Sequence, residues 1–134
     1  MAFQYSVAVR NATLDPIEST IGASAKLYIY SGSVPANCAA AATGTLLASG
    51  TLPSDWMNAA SGGTKTLLGT WTLTGVAAGT AGYFRVLDNA GTTVGIQGTV
   101  TATGAGGDMT LDNTSIAVSQ VVNITTFTLT AGGA

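Results

Sequence analysis

Apolar positions recur along this chain with two different periods. Up to residue 22 the period is helical: Val7, Leu14, Ile17 and Ile21 are spaced by seven, three and four and share one face. Pro16 interrupts the run, and Asp15-Pro16-Ile17-Glu18 reads as an N-cap, a proline at the first helical position and a glutamate at the third. The expectation is either one kinked helix or an arm followed by a short helix ending at Gly22.

From residue 25 the period becomes two. Lys26 to Tyr30 reads as a strand with Leu27 and Ile29 on one side; its other face is also largely apolar, so both faces should be covered. Thr45 to Leu52 reads as a second strand, after a loop through Gly32, Pro35 and an alanine run. Pro53 to Met57 looks like a single helical turn closed by Gly62-Gly63. Further strands are expected over Lys65 to Thr74, Tyr83 to Leu87, Thr92 to Thr103, Met109 to Leu111 and Val121 to Thr130. A turn is expected at Asp88-Asn89-Ala90-Gly91 and a bulge at Gly95 or Gly98.

About seven or eight short antiparallel strands after one helix predict a mainly β, single-domain β-sandwich or jelly roll. The N-terminal arm and helix would occupy residues 1–24 and the sandwich residues 25–134. A parallel α/β fold is excluded because no helices separate the strands. A chain of 134 residues can bury a core without staples.

Composition changes the picture of the surface. Apolar residues make up an ordinary 46%, but charged residues only 7%, against about 25% in a typical domain. Gly, Ala, Ser and Thr supply over half the chain. With a net charge of −2, colloidal repulsion is weak, and few long side chains must be immobilised on contact. Such a surface suits packing against copies of itself or a partner; a Thr-rich surface of a secreted β protein is the other reading. Arg10, Lys26, Lys65 and Arg85 are scattered, so no basic stripe points to nucleic acid.

Compartment follows from what is missing. Cys38 is the single cysteine, so no intrachain disulfide forms, which fits a reducing cytoplasm. It lies in an alanine-rich loop with no charge within ten residues, the setting of an inert thiol. Met1 to Tyr5 has neither a basic nor an apolar signal region, and no apolar run of about 18 residues is available to span a membrane. The sequons at Asn11, Asn113 and Asn123 are what chance gives in a Thr-rich chain.

The chemical inventory is short. Without histidine there is no Ser-His-Asp or Cys-His arrangement and no His-ligated zinc. Asp15 and Glu18 are explained by capping. Asp108 and Asp112 flank a short strand beside a Gly-rich turn, Gly104 to Gly107, that offers too few oxygens for calcium. Gly62-Gly63-Thr64-Lys65-Thr66 lacks phosphate-loop spacing and no helix follows it. No catalytic, cofactor-binding or metal-binding residue is assigned, and no cofactor is expected.

Aromatic residues carry the remaining signal. Tyr28, Tyr30, Trp56, Trp71, Tyr83 and Phe84 could line a carbohydrate platform, but such residues are more often core, and Trp71, Phe84 and Phe127 fit core positions on alternating strands. Trp56 and Met57 sit in a connection, where exposure would make them interface anchors. Phe3 and Tyr5, ahead of the helix, either anchor an arm to a neighbour or tuck back onto their own domain. Phe3, Tyr5, Val7, Trp56 and Met57 are therefore the candidate assembly residues.

Several runs resemble a group of small proteins of tailed bacteriophages and prophages. They are Met1 to Asn11 with Leu14-Asp15 and Ile17-Glu18; Ile29 to Gly32 with Pro35 to Cys38; Leu52 to Met57 with Ala60 to Gly63; Gly79 to Arg85; Gly106 to Ile116; and Thr126 to Gly132. The resemblance spans nearly the whole chain. Pro16 and Val94-Gly95 depart from it; relatives carry a helix-compatible residue at the first and frequently Cys-His at the second. What it implies is a virion structural protein, similar to the decoration or cement proteins that brace a head shell. The implied partners are the major capsid protein and further copies of the chain, as a homodimer or homotrimer. The implied location is the capsid surface after assembly in the host cytoplasm. A tail, neck or fibre component and a host- or carbohydrate-binding β-sandwich are the alternatives, with an enzyme last.

Overall fold

A computed structural model describes residues 3–134. The architecture is mainly β and sandwich-like, with one N-terminal helix packed on strongly curved sheet.

Helix α1 spans Val7–Ile21 and is capped by Ser6, whose hydroxyl accepts the Val9 N–H at 3.2 Å. The cap is therefore Ser6, and Asp15 lies inside the helix. Pro16 does not end α1, although a proline there removes one backbone hydrogen bond and costs roughly 3 kcal/mol in an isolated helix. Tertiary contacts along its length offset that loss. Gly22 closes the helix at φ 105°, donating its N–H to Glu18 O at 2.8 Å. Leu14 faces the interior as its spacing predicts, whereas Val7, assigned to the same face, is exposed.

Seven strands form one sheet: β1 Lys26–Tyr30, β2 Leu46–Thr51, β4 Trp71–Gly75, β6 Tyr83–Leu87, β7 Val94–Ala102, β8 Met109–Leu111 and β10 Val121–Ile124. Their order across it is β10-β4-β2-β1-β6-β7-β8. The two outer strands, β8 and β10, approach each other, so the sheet curls almost into a barrel. Inward-facing residues alternate along each strand: Leu27 and Ile29, Trp71 and Leu73, Phe84 and Val86, Met109 and Leu111, Val122 and Ile124. A line of rings crosses the core, with centroids 5.9 Å apart for Trp56–Trp71, 5.4 Å for Trp71–Phe127 and 5.5 Å for Phe84–Phe127.

Two expected long strands each bend at a corner. Lys65 to Thr74 divides into β3 (Thr64–Thr66) and β4, and Val121 to Thr130 into β10 and β11 (Thr128–Thr130). The partners stay the same across the corner: β3 pairs β11, β4 pairs β10, and the Leu67 N–H still reaches Phe127 O at 3.0 Å. One ribbon thus leaves the main sheet and folds over its end. The corner is held from outside, because Trp56 O accepts the Leu68 N–H and Met57 bridges Leu67. That extended pairing replaces the helical turn expected at Pro53 to Met57. The ribbon of β5 (Gly79–Thr80) and β9 (Ser115–Ile116) is too short to give a periodic signal.

The bulge falls at Gly95: Val86 pairs Ile96 and Leu87 pairs Val94, leaving Gly95 unmatched. Ile21 packs directly over it, in space a side chain would fill. One pair departs from the expected antiparallel pattern, since β8 runs parallel to β7. Parallel strands usually need a long crossover. Here residues 103–108 double back, with Gly104 and Gly106 at φ 87° and 85°.

The outer face of β1, β6 and β7 is covered by residues 31–45. Tyr83 donates its hydroxyl to Thr43 O at 2.6 Å and accepts the Thr43 N–H at 2.9 Å. Tyr30 stacks on Tyr83 with centroids 4.9 Å apart, and burial is the main cause raising its phenol above the ordinary pKa. Tyr83 and Arg85 are consequently buried although they face away from the core.

Candidate assembly surface

The five candidate residues separate into two groups. Phe3 and Tyr5 are 60% and 46% exposed, and Val7 on the first turn of α1 is 48% exposed. Val9, 45% exposed, is two helical positions from Val7 and so points to another side of α1; it had no signal beyond its place in a helical run. Trp56 and Met57 are 0% and 2% exposed, so neither can anchor a neighbour. Their position in a connection suggested exposure; the helix covers them instead.

The exposed arm is fixed at its base. The Tyr5 N–H donates to Gly133 O at 2.7 Å, and the Gln4 amide donates to Ala134 O at 3.5 Å. The Phe3 and Tyr5 rings pack on each other at 5.5 Å with their planes 56° apart. The arm is thus tied to the C-terminal tail, with the Tyr5 ring lying against Gly133 and both rings still partly open to solvent. Two rings so tilted do not make a flat stacking platform, and both tryptophans and Tyr83 are buried.

Trp56 and Met57 belong to the junction that seats α1. Three helix residues, Asn11, Asp15 and Glu18, accept backbone hydrogens from the 56–63 segment. Asn11 Oδ1 takes the Gly63 N–H at 2.8 Å, Asp15 Oδ1 the Ala60 N–H at 2.8 Å, and Glu18 Oε1 those of Trp56 at 2.7 Å and Met57 at 3.1 Å. The Trp56 indole donates to Gly22 O at 3.0 Å. Lys65, 3% exposed, completes the junction at 3.4 Å from Asp15 and 3.7 Å from Glu18, with Asn58 O at 3.0 Å. The Ala60 hydrogen bond is the main cause holding the Asp15 carboxyl below its ordinary pKa, and Lys65 adds to it. The spacing of four and three that aligns Asn11, Asp15 and Glu18 is visible in the sequence, but it reads as capping. The polar face of the helix is therefore engaged as fully as its apolar one.

Three other acids brace turns and loops. Asp108 Oδ2 accepts from Thr99 N at 2.9 Å and Thr99 Oγ1 at 3.0 Å, clamping the doubled-back segment to β7. Asp112 accepts from the Thr103 hydroxyl at 3.1 Å. Asp88 takes the Thr92 and Thr93 N–H groups at 2.8 and 3.2 Å, and the first of these is the main cause lowering its pKa. Among the described residues no three His, Cys, Asp or Glu side chains cluster to hold a metal. A cavity of about 600 Å³ lies between β7, β8 and β11, and Asp108 is the one ionisable side chain among its described lining residues. No described helix is long and apolar enough to cross a membrane.

Comparison with known proteins finds no matching family model, no matching curated protein and no matching solved structure.

Proposed function

We propose that this chain is a structural component of a bacteriophage particle, a decoration or cement protein that binds the major capsid protein. The observation that carries the reading is the arm: Phe3, Tyr5 and Val7 present apolar side chains to solvent from a segment pinned to the chain's own C-terminal tail. Apolar groups exposed together, on a fixed backbone, lose little entropy on docking. The near-absence of charge supports the same role, because a contact that does not rest on ion pairs is insensitive to salt. Many copies on one lattice hold by avidity even where each contact is weak. Nothing in this role requires a reaction, a cofactor, nucleic acid or a membrane. Self-association into a dimer or trimer on a lattice symmetry axis fits the same surface.

Copy number in purified particles of the encoding virus tests the reading. Hundreds of copies per particle are expected. Roughly a dozen or fewer would instead indicate a neck, tail or fibre component, where symmetry sets small numbers. Added back to shells lacking it, the protein should bind and raise their resistance to heat. A Phe3→Ser/Tyr5→Ser variant should stay folded and fail to bind.

A further inference from the structure

The chain buries two cations and treats them differently. Lys65 is matched by two carboxylates. Arg85, 4% exposed, is matched by none among the described residues. Its Nε donates to Gln97 Oε1 at 3.1 Å, and its Nη2 donates to Ala40 O at 2.8 Å and Asn37 O at 3.4 Å. All three acceptors are neutral. They fix the plane of the guanidinium without balancing its charge, and an unbalanced buried charge is costly.

The remaining nitrogen has a place to act. Nη1 makes no hydrogen bond among the described residues, and it is not sealed from solvent. Arg85 lines a cavity of about 480 Å³ between the 38–41 loop and Thr92, Thr93 and Val94. The loop is shaped for this contact. Asn37 Oδ1 accepts the Ala39 and Ala40 N–H groups at 3.0 and 2.9 Å, a tight turn whose carbonyls face the guanidinium. The Thr93 hydroxyl, at the other side of the cavity, has no partner among the described residues.

We propose that this cavity binds a short aliphatic monocarboxylate, held by Arg85 Nη1 with the Thr93 hydroxyl as second donor. One negative charge matches the one unbalanced cation, and a guanidinium presents its hydrogens in the geometry a carboxylate accepts. A dianion is disfavoured because Arg85 is the one cation among the cavity's described lining residues, so a second negative charge would go unmatched. The methyl groups of Ala39, Ala40 and Ala41 and the side chain of Val94 suit an aliphatic tail. The site is independent of the arm and of the assembly role.

Amide NMR of the full chain, titrated with sodium propionate against sodium chloride and sodium phosphate at matched ionic strength, tests the assignment. Propionate should give saturable shifts at Cys38 to Ala41, Thr92 to Val94 and the Arg85 side-chain N–H, and the other two salts should not. Thr93→Val, at an exposed position, should keep the fold and weaken binding about tenfold, the worth of one hydrogen bond to a charged group. Thr93→Glu should place a tethered carboxylate in the cavity, raise the melting temperature and abolish propionate binding. Equal, non-saturating drift with propionate and chloride would overturn the proposal. So would tighter binding of phosphate than of propionate, or an unchanged affinity in both Thr93 variants.

Discussion

The Glu18 carboxylate accepts the backbone N–H of Trp56 at 2.7 Å, from a residue thirty-eight positions away in the chain. The same oxygen takes the Met57 N–H, and the other oxygen lies 3.7 Å from Lys65. One side chain thereby fixes the helix, the segment under the sheet corner and the ammonium that enters from β3. Removing it leaves two amide hydrogens without their acceptor and takes from a buried cation one of its two carboxylates. Glu18→Ala should therefore cost about 3 kcal/mol, in the range for breaking a buried charge-assisted network. Glu18→Gln, which keeps an acceptor oxygen, should cost less. Urea unfolding monitored by tryptophan fluorescence checks both values.

This junction also marks how far the sequence could be read. Alternation placed Leu27, Ile29, Trp71 and Phe84 correctly, because a strand with one buried face has period two whatever its partners are. Strand ends at Tyr30 and Leu87 were legible for the same reason. The corner at Leu67 to Thr70 was not, because it is imposed from outside by Trp56 and Met57, and no local pattern encodes a distant partner. Asp15 and Glu18 were seen but misread: an acid beside a proline gives the same signal whether it caps a helix or reaches across to a loop. The exposure of Phe3 and Tyr5 depended on whether the arm folds back, which its two contacts with the tail decide.

Acid should weaken the same junction. The Asp15 carboxyl is held below its ordinary value of 3.8, first by the Ala60 N–H and then by Lys65. A carboxyl with a depressed native pKa binds its proton less readily when folded than when unfolded. Its contribution is present above the unfolded value and is lost as pH falls through the lower native value. Asp88 behaves alike through its turn amides. The melting temperature should therefore decline steeply below pH 3.8, and Asp15→Asn should show a shallower decline over that window. Thermal melts across the acid range test this.

The bulge at Gly95 should be sensitive to a single methyl group. A Cβ there would overlap Ile21 Cγ1 and lie 2.6 Å from Cδ1 of the same side chain. Gly95→Ala should destabilise by about 1–3 kcal/mol, as overpacking does. Ile21→Val removes the Cδ1 atom and should recover part of that loss when combined with Gly95→Ala. A double-mutant cycle in urea measures the recovery, and strict additivity would show that helix and bulge are not coupled.

The arm should be separable from the fold. Phe3 and Tyr5 are held to the chain by backbone, by Gln4 and by the Tyr5 ring lying against Gly133, and their outer ring faces are exposed. Phe3→Ser/Tyr5→Ser should therefore cost no more than about 1 kcal/mol, the Tyr5–Gly133 contact being the main loss. Glu18→Ala should do the reverse, lowering stability while leaving every exposed arm residue in place. Shell binding measured well below the melting temperature of each variant then distinguishes two roles for the N-terminal region. If the arm is the docking element, the first variant is stable and does not bind, and the second is weakened yet binds. If both bind equally, contact is made through another surface; Val76, Val118 and Val121, exposed beside the β4–β10 edge, are the apolar residues that remain.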